Sequence, residues 1–164
     1  MQSRAALVAL MLYPPVLYSC RQPPPVDPPA GEGGWLKGTT HAKFESVAKQ
    51  LRGFDMAMVE TGYRYRELFW AGEQQNWDYA DYQAKKIRTA VENGLERRPK
   101  RAASAQAFLT IVLPAVDEAI AKRDRDLFRA RFANLTSTCR TCHEAERVGF
   151  VPVTPPGELL AGGR

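Results

Sequence analysis

From Thr40 to Phe150 apolar residues recur in steps of three and four, and no stretch alternates in steps of two. That spacing belongs to helices that bury one face, so the pattern predicts an all-α domain. A first helix is expected over Thr40–Trp70, with Phe44, Val47, Leu51, Phe54, Met58, Gly62, Tyr65 and Phe69 on one stripe and Ala71-Gly72-Glu73 as its end. Asn76 is a good N-cap for a second, which aligns Trp77, Ala80, Ala84, Ile87, Val91 and Leu95 and meets a stop signal at Asn93-Gly94. After a basic loop at Glu96–Arg101, a third helix over about Ala102–Ala121 carries Ala105, Phe108, Leu109, Val112, Val116, Ala119 and Ile120 on one side. Pro114 lies inside it and should kink it. Asp124 caps a fourth, whose face runs through Phe128, Phe132, Leu135, Cys139 and Cys142. The connections are short, so neighbours should run antiparallel and form an up-down four-helix bundle over residues 40–150.

The flanks do not share this pattern. Residues 1–20 have one positive charge, Arg4, then an apolar run from Ala5 to Leu17 broken by Pro14-Pro15, which reads as a secretory signal. Leu17-Tyr18-Ser19-Cys20 resembles a bacterial lipobox, with Cys20 as the lipidated first residue of the mature chain. Tyr18 is bulky for that motif, which leaves open ordinary cleavage nearby or an uncleaved anchor. Residues 21–39 are rich in Pro and Gly and read as an extended, partly polyproline tether. Residues 151–164 read as an irregular tail. Together the flanks imply export to the bacterial periplasm with the domain held near a membrane by a lipid.

With 164 residues, 45% of them hydrophobic and 25% charged, the chain suits one globular domain. Its formal charge of +5 would favour an acidic protein partner or an anionic surface. The sequence holds no basic patch interleaved with aromatics and no nucleic-acid motif, so nucleic acid is not an expected partner.

Chemistry concentrates at Cys139-Arg140-Thr141-Cys142-His143. C-x-x-C-H is the attachment signature of a c-type haem: two thiols one helical turn apart each form a thioether with a vinyl group, and the neighbouring imidazole reaches the iron. Cys139 and Cys142 would hold one haem c, and His143 would ligate it. A C-x-x-C redox pair and half of a zinc site are the competing readings. The first normally opens a helix after a strand, whereas this motif closes a helical segment; for the second, only His41 and scattered carboxylates remain as further ligands. Covalent haem attachment in bacteria takes place beyond the inner membrane, so motif and export signal agree.

A helical domain with C-x-x-C-H on its last helix resembles the cytochrome c-prime and cytochrome c-556 group of class II c-type cytochromes. Arg147, four residues after the histidine, fits that group's pattern, while Glu146 stands where the group commonly has an aromatic residue. Arg52-Gly53-Phe54-Asp55-Met56 matches the group's Arg-x-x-x-Met, which would make Met56 the distal ligand, whereas helical phase places Met58 nearer the middle of the apolar stripe. We favour Met58, with Met56 as the alternative and packing as the plain role of either. Arg52 and Arg147 would meet haem propionates.

Tyr63, Tyr65, Phe69, Trp70 and Trp77 should be mostly core. The resemblance implies one-electron transfer between exported redox partner proteins rather than enzymatic turnover, or else a five-coordinate haem that binds nitric oxide or carbon monoxide. It also implies a homodimer through the first two helices. A haem-free bundle with an interaction role is the third reading.

Overall fold

The structure, a computed structural model, describes residues 27–157. The segment read as an export signal, Cys20, and the rest of the chain on either side of this range lie outside the described residues. By internal contacts the chain divides into two compact units, residues 1–47 and 48–164.

In the first unit, the later part of the expected tether has local order. Ala30 and Leu36 exchange backbone hydrogen bonds at 2.9 and 3.0 Å, and a 3-10 turn at Glu32–Gly34 closes the loop between them. Gly31 makes this closure possible: its φ is +77°, and a Cβ there would sit 2.5 Å from Trp35 Nε1. Thr40 Oγ1 then donates to the Asp27 carboxylate and Lys43 Nζ to the Pro28 carbonyl.

The single long helix expected over Thr40–Trp70 is two helices, α1 (Thr40–Leu51) and α2 (Phe54–Glu73). Arg52 adopts φ +59°, its N–H bonding back to the Lys49 carbonyl at 3.2 Å, and Gly53 is extended at the start of α2. Asp55 holds the break together, accepting from the Gly53 N–H at 3.0 Å and pairing with the Arg52 guanidinium. The stripe therefore loses its first three members as core: Phe44, Val47 and Leu51 are 70%, 38% and 55% exposed. Glycine inside a helical pattern costs about 1 kcal/mol against alanine, and Gly53 is where the pattern yields.

The second unit is a helical bundle without strands among the described residues. Its other rods are α3 (Trp77–Arg97), a composite rod of α4 (Ala102–Ala107), one π-helical turn (Phe108–Val112) and α5 (Leu113–Lys122), and α6 (Arg125–Ala145). Neighbours run antiparallel, as the cross-contacts show. Along α2 and α3, Glu67 meets Tyr79, Arg64 meets Gln83, and Ala57 meets Gly94. Along α2 and α6, Gly72 meets Phe128, Tyr65 meets Thr136, and Glu73 meets Arg129.

Asn93-Gly94 does not stop α3, which runs on to Arg97, whereas α2 ends within the expected Ala71-Gly72-Glu73. Both glycines are buried within their helices for close approach: a Cβ on Gly72 would lie 2.0 Å from the Phe128 ring, and one on Gly94 would lie 2.7 Å from Ala57 Cβ. The chain leaves α2 through left-handed Gln75 and α5 through left-handed Arg123, and in each turn the next residue serves twice. Asn76 and Asp124 each bond back to the finishing helix and cap the next one, accepting from Tyr79 N at 3.3 Å and Leu127 N at 2.9 Å.

Pro114 acts just upstream of itself. Having no N–H, it cannot serve the carbonyls before it, and the Leu113 N–H is spent on Phe108 O, which widens one turn to the π register. Arg88 on α3 supplies a donor, reaching Leu109 O at 3.1 Å while pairing with Asp117 at 3.3 Å.

The core is where the stripes of all four rods meet, with Leu68, Ile87, Leu113, Val116, Phe128 and Leu135 fully buried. Each contributes about 1.5–3 kcal/mol by leaving water. Of the aromatic group expected inside, Tyr65 and Trp77 are buried, while Tyr63 and Trp70 face solvent because they lie off the α2 stripe. Thr136 donates its hydroxyl proton to Phe132 O at 2.9 Å, so Tyr65 is the donor in their 2.8 Å contact. By length and composition the run Pro99–Lys122 is apolar enough to cross a membrane, yet its Leu113, Val116 and Ala119 are core residues of the bundle.

Glu73 clamps the end of α2 to the start of α6 through Arg129 at 2.6 Å and Arg125 at 2.9 Å. The Arg129 hydrogen bond chiefly, aided by Arg125 and opposed by partial burial, brings its carboxyl down from 4.5 to about 2. A carboxyl lowered in the folded state stabilises above its unfolded pKa, so this contribution is full above pH 4.5 and vanishes as pH falls toward 2. Glu73→Gln is expected to cost about 1–2 kcal/mol at pH 7, moderated by the half-exposed arginines, and almost nothing near pH 2. Urea unfolding of both proteins across that range measures the difference.

Candidate functional site

Three residues at the end of α6 open onto a groove. Cys139 lies three residues before Cys142, so both project from the same side of the helix, and His143 follows directly. Cys139, Cys142 and His143 line one lobe with Phe54, Met58 and Thr61 of α2, Val91 of α3, Ala105 of α4 and Phe108 of the π turn. A second lobe of about 360 Å³ adds Arg101, Glu146 and Val148, and a third of about 330 Å³ adds Gly62, Arg66 and the tail from Val151 to Thr154. Met58 and His143 line all three, so the lobes are one groove of a size suited to a small molecule or cofactor.

Helical phase places the two methionines differently. Met58 is half-buried against the core and lines the groove, whereas Met56 is 38% exposed and lines a separate cleft with Tyr63, Ala90 and Arg97. The 100° rotation per residue puts positions 54, 58, 61 and 65 on one side of α2, which turns residue 56 away.

Neither Arg52 nor Arg147 lines the groove. Arg52 is paired with Asp55 at the α1–α2 break. Arg147 ends α6: at φ +60° it sends its N–H to Glu144 O at 3.0 Å, while Val148 N–H reaches His143 O at 2.8 Å, the paired bonds of a Schellman turn. A side chain in this left-handed region costs about 1–2 kcal/mol. Arg147→Gly is therefore expected to raise stability by about 1 kcal/mol in urea unfolding and to leave any haem spectrum unchanged.

The cations at the groove are Arg66, which is not among the sequence candidates, and Arg101 of the basic loop at Glu96–Arg101. Arg66 lines the third lobe. Arg101 lies 5.7 Å over the Phe54 ring and pairs with Glu146, which also accepts from Ser104. Glu146, the departure from the resembling group's pattern, thus ties the end of α6 to the start of α4. The sequence does carry a signal for Arg66, since it lies two turns beyond Met58 on α2, near the edge of the same face. Arg101 is placed by the turn at Pro99–Arg101, which helical periodicity does not register.

Both thiols are free and both are raised. Burial, with Cys142 nearby, pushes Cys139 up to about 12, and burial also raises Cys142 despite a hydrogen bond with Ser104. Dithiol catalysts need a lowered pKa to attack as thiolates, so this pair is poorly suited to thiol exchange. Among the described residues no group of three or more His, Cys, Asp or Glu side chains is placed to hold a metal ion.

Thr61, in the groove wall, differs from other threonines of the bundle helices. Thr89, Thr110, Thr136, Thr138 and Thr141 each donate to the carbonyl four residues back, while the buried Thr61 hydroxyl has no partner. His143 Nδ1 lies 3.0 Å from the Val151 carbonyl. The groove thus offers a flat apolar guest two thiols on one side chain row, an imidazole, a thioether and one unspent hydroxyl. Comparison with known proteins returns no match, neither a family model, nor a curated protein, nor a solved structure.

Proposed function

We propose that this protein is an exported c-type cytochrome that carries one haem and passes single electrons between redox partner proteins. One observation carries the reading: C-x-x-C-H opens from the last helix onto an apolar groove that also contains a methionine of α2. The residues fit the group. Cys139 and Cys142 would hold it through thioethers, His143 would supply the proximal nitrogen and Met58 the distal sulfur. Phe54, Val91 and Phe108 would exclude water, and Arg66 and Arg101 are the cations within the groove for propionate carboxylates. Haem bound there supplies a one-electron iron couple, whose potential a soft sulfur ligand raises. Export with a lipid at Cys20 would keep the domain beside a membrane.

The test is the absorbance of the exported protein, oxidised and reduced, with and without carbon monoxide. Sharp reduced bands indifferent to the gas support this reading, and a protein without haem bands contradicts it.

The second reading, an open iron site for nitric oxide or carbon monoxide, is favoured by Thr61. An unpartnered hydroxyl beside Met58 suits a small ligand with a hydrogen-bond acceptor. Reduced bands that shift with carbon monoxide would select it.

A further inference from the structure

The chain after α6 is more than an irregular end. The Schellman turn at Arg147 reverses its direction, Val151 N–H bonds to Val148 O at 2.9 Å, and Arg140 Nε then donates to Val153 O at 2.9 Å. Val153 packs against the core, and Pro156 is buried. These contacts fix the segment at both ends of the stretch that passes His143.

Within that stretch the Val151 carbonyl meets His143 Nδ1 at 3.0 Å. A carbonyl oxygen only accepts, so the contact requires the proton on Nδ1 and leaves the lone pair on Nε2. Val151 precedes Pro152, and a residue before proline is held to extended backbone, which limits where its carbonyl can point.

We propose that Val148–Gly157 is a positioning strap whose Val151 carbonyl fixes the His143 tautomer and ring orientation, so that Nε2 is the ring atom offered to a metal. The strap acts in the folded chain before any metal arrives. Its effect on iron rests on the haem reading: a hydrogen bond from Nδ1–H makes the imidazole a stronger donor, which favours oxidised iron.

The test has two arms. In the full-length chain made without haem attachment and labelled with ¹⁵N-histidine, long-range proton–nitrogen spectra at a pH where His143 is neutral should show His143 with its proton on Nδ1. A proton on Nε2 overturns the proposal, whatever the protein binds. Pro152→Gly, and separately a chain ending at Phe150, should lose this preference. The substitution serves if the shortened chain fails to fold.

In the haem-loaded protein the same variants should raise the midpoint potential. An unchanged potential in a folded variant also overturns the proposal. Absence of haem in the second arm counts against the cytochrome reading alone, because the first arm needs no haem.

Discussion

A chain with both Cys139→Ala and Cys142→Ala is expected to leave an export-competent host colourless yet folded. The two thiols are the only groups in the groove able to form thioethers, so their loss removes every covalent link to a haem. Cys139 packs at the edge of the core and Cys142 is half-exposed, so the double substitution should cost only about 1–2 kcal/mol and leave the helical content intact. On the proposed reading each single variant would keep one thioether and should retain haem in reduced yield. The readout is haem colour after acid–acetone extraction, set against the far-ultraviolet circular dichroism of the same sample. A double variant that keeps extraction-resistant colour would show attachment elsewhere.

Met58→Ala should change the haem as strongly as Met56→Ala leaves it alone. Met58 lines every lobe of the groove, while Met56 lines a different cleft. Removing a soft axial sulfur should lower the midpoint potential by on the order of 0.1 V, within the range of about 0.8 V that axial ligands command. It should also open the iron to carbon monoxide. Packing loss at a half-buried methionine adds about 1–2 kcal/mol of destabilisation, which urea unfolding separates from the spectral change. Should neither variant alter spectrum or potential, the sixth position is not methionine.

The comparison between sequence and structure turns on which residues carry a periodic signal. Trp77 through Val91 and Ala105 through Ile120 are legible because burial of one helical face repeats every three or four residues. Asn76 and Asp124 are legible as caps for a chemical reason: a short polar side chain reaches the free N–H groups of a first turn.

Asn93-Gly94 reads as a stop, yet α3 runs on to Arg97. Gly72 and Gly94 are there for close packing, and the left-handed turns fall on Arg52, Gln75, Arg123 and Arg147, whose type announces nothing. Arg147 has a backbone role at the end of α6 that the motif does not announce. The groove itself was half legible. Phase placed Met58 and the cysteines, but Thr61, Arg66 and Arg101 gain meaning only when α2, α4 and α6 come together. The tail's carbonyl at His143 is a backbone atom, invisible to any pattern of side chains.

Mass spectrometry of the peptide containing Cys139–His143, from full-length protein exported by a host that matures c-type cytochromes, tests the central claim most directly. The account predicts a peptide heavier by one haem, with neither cysteine open to alkylation. A peptide of unmodified mass with two alkylatable thiols would contradict it.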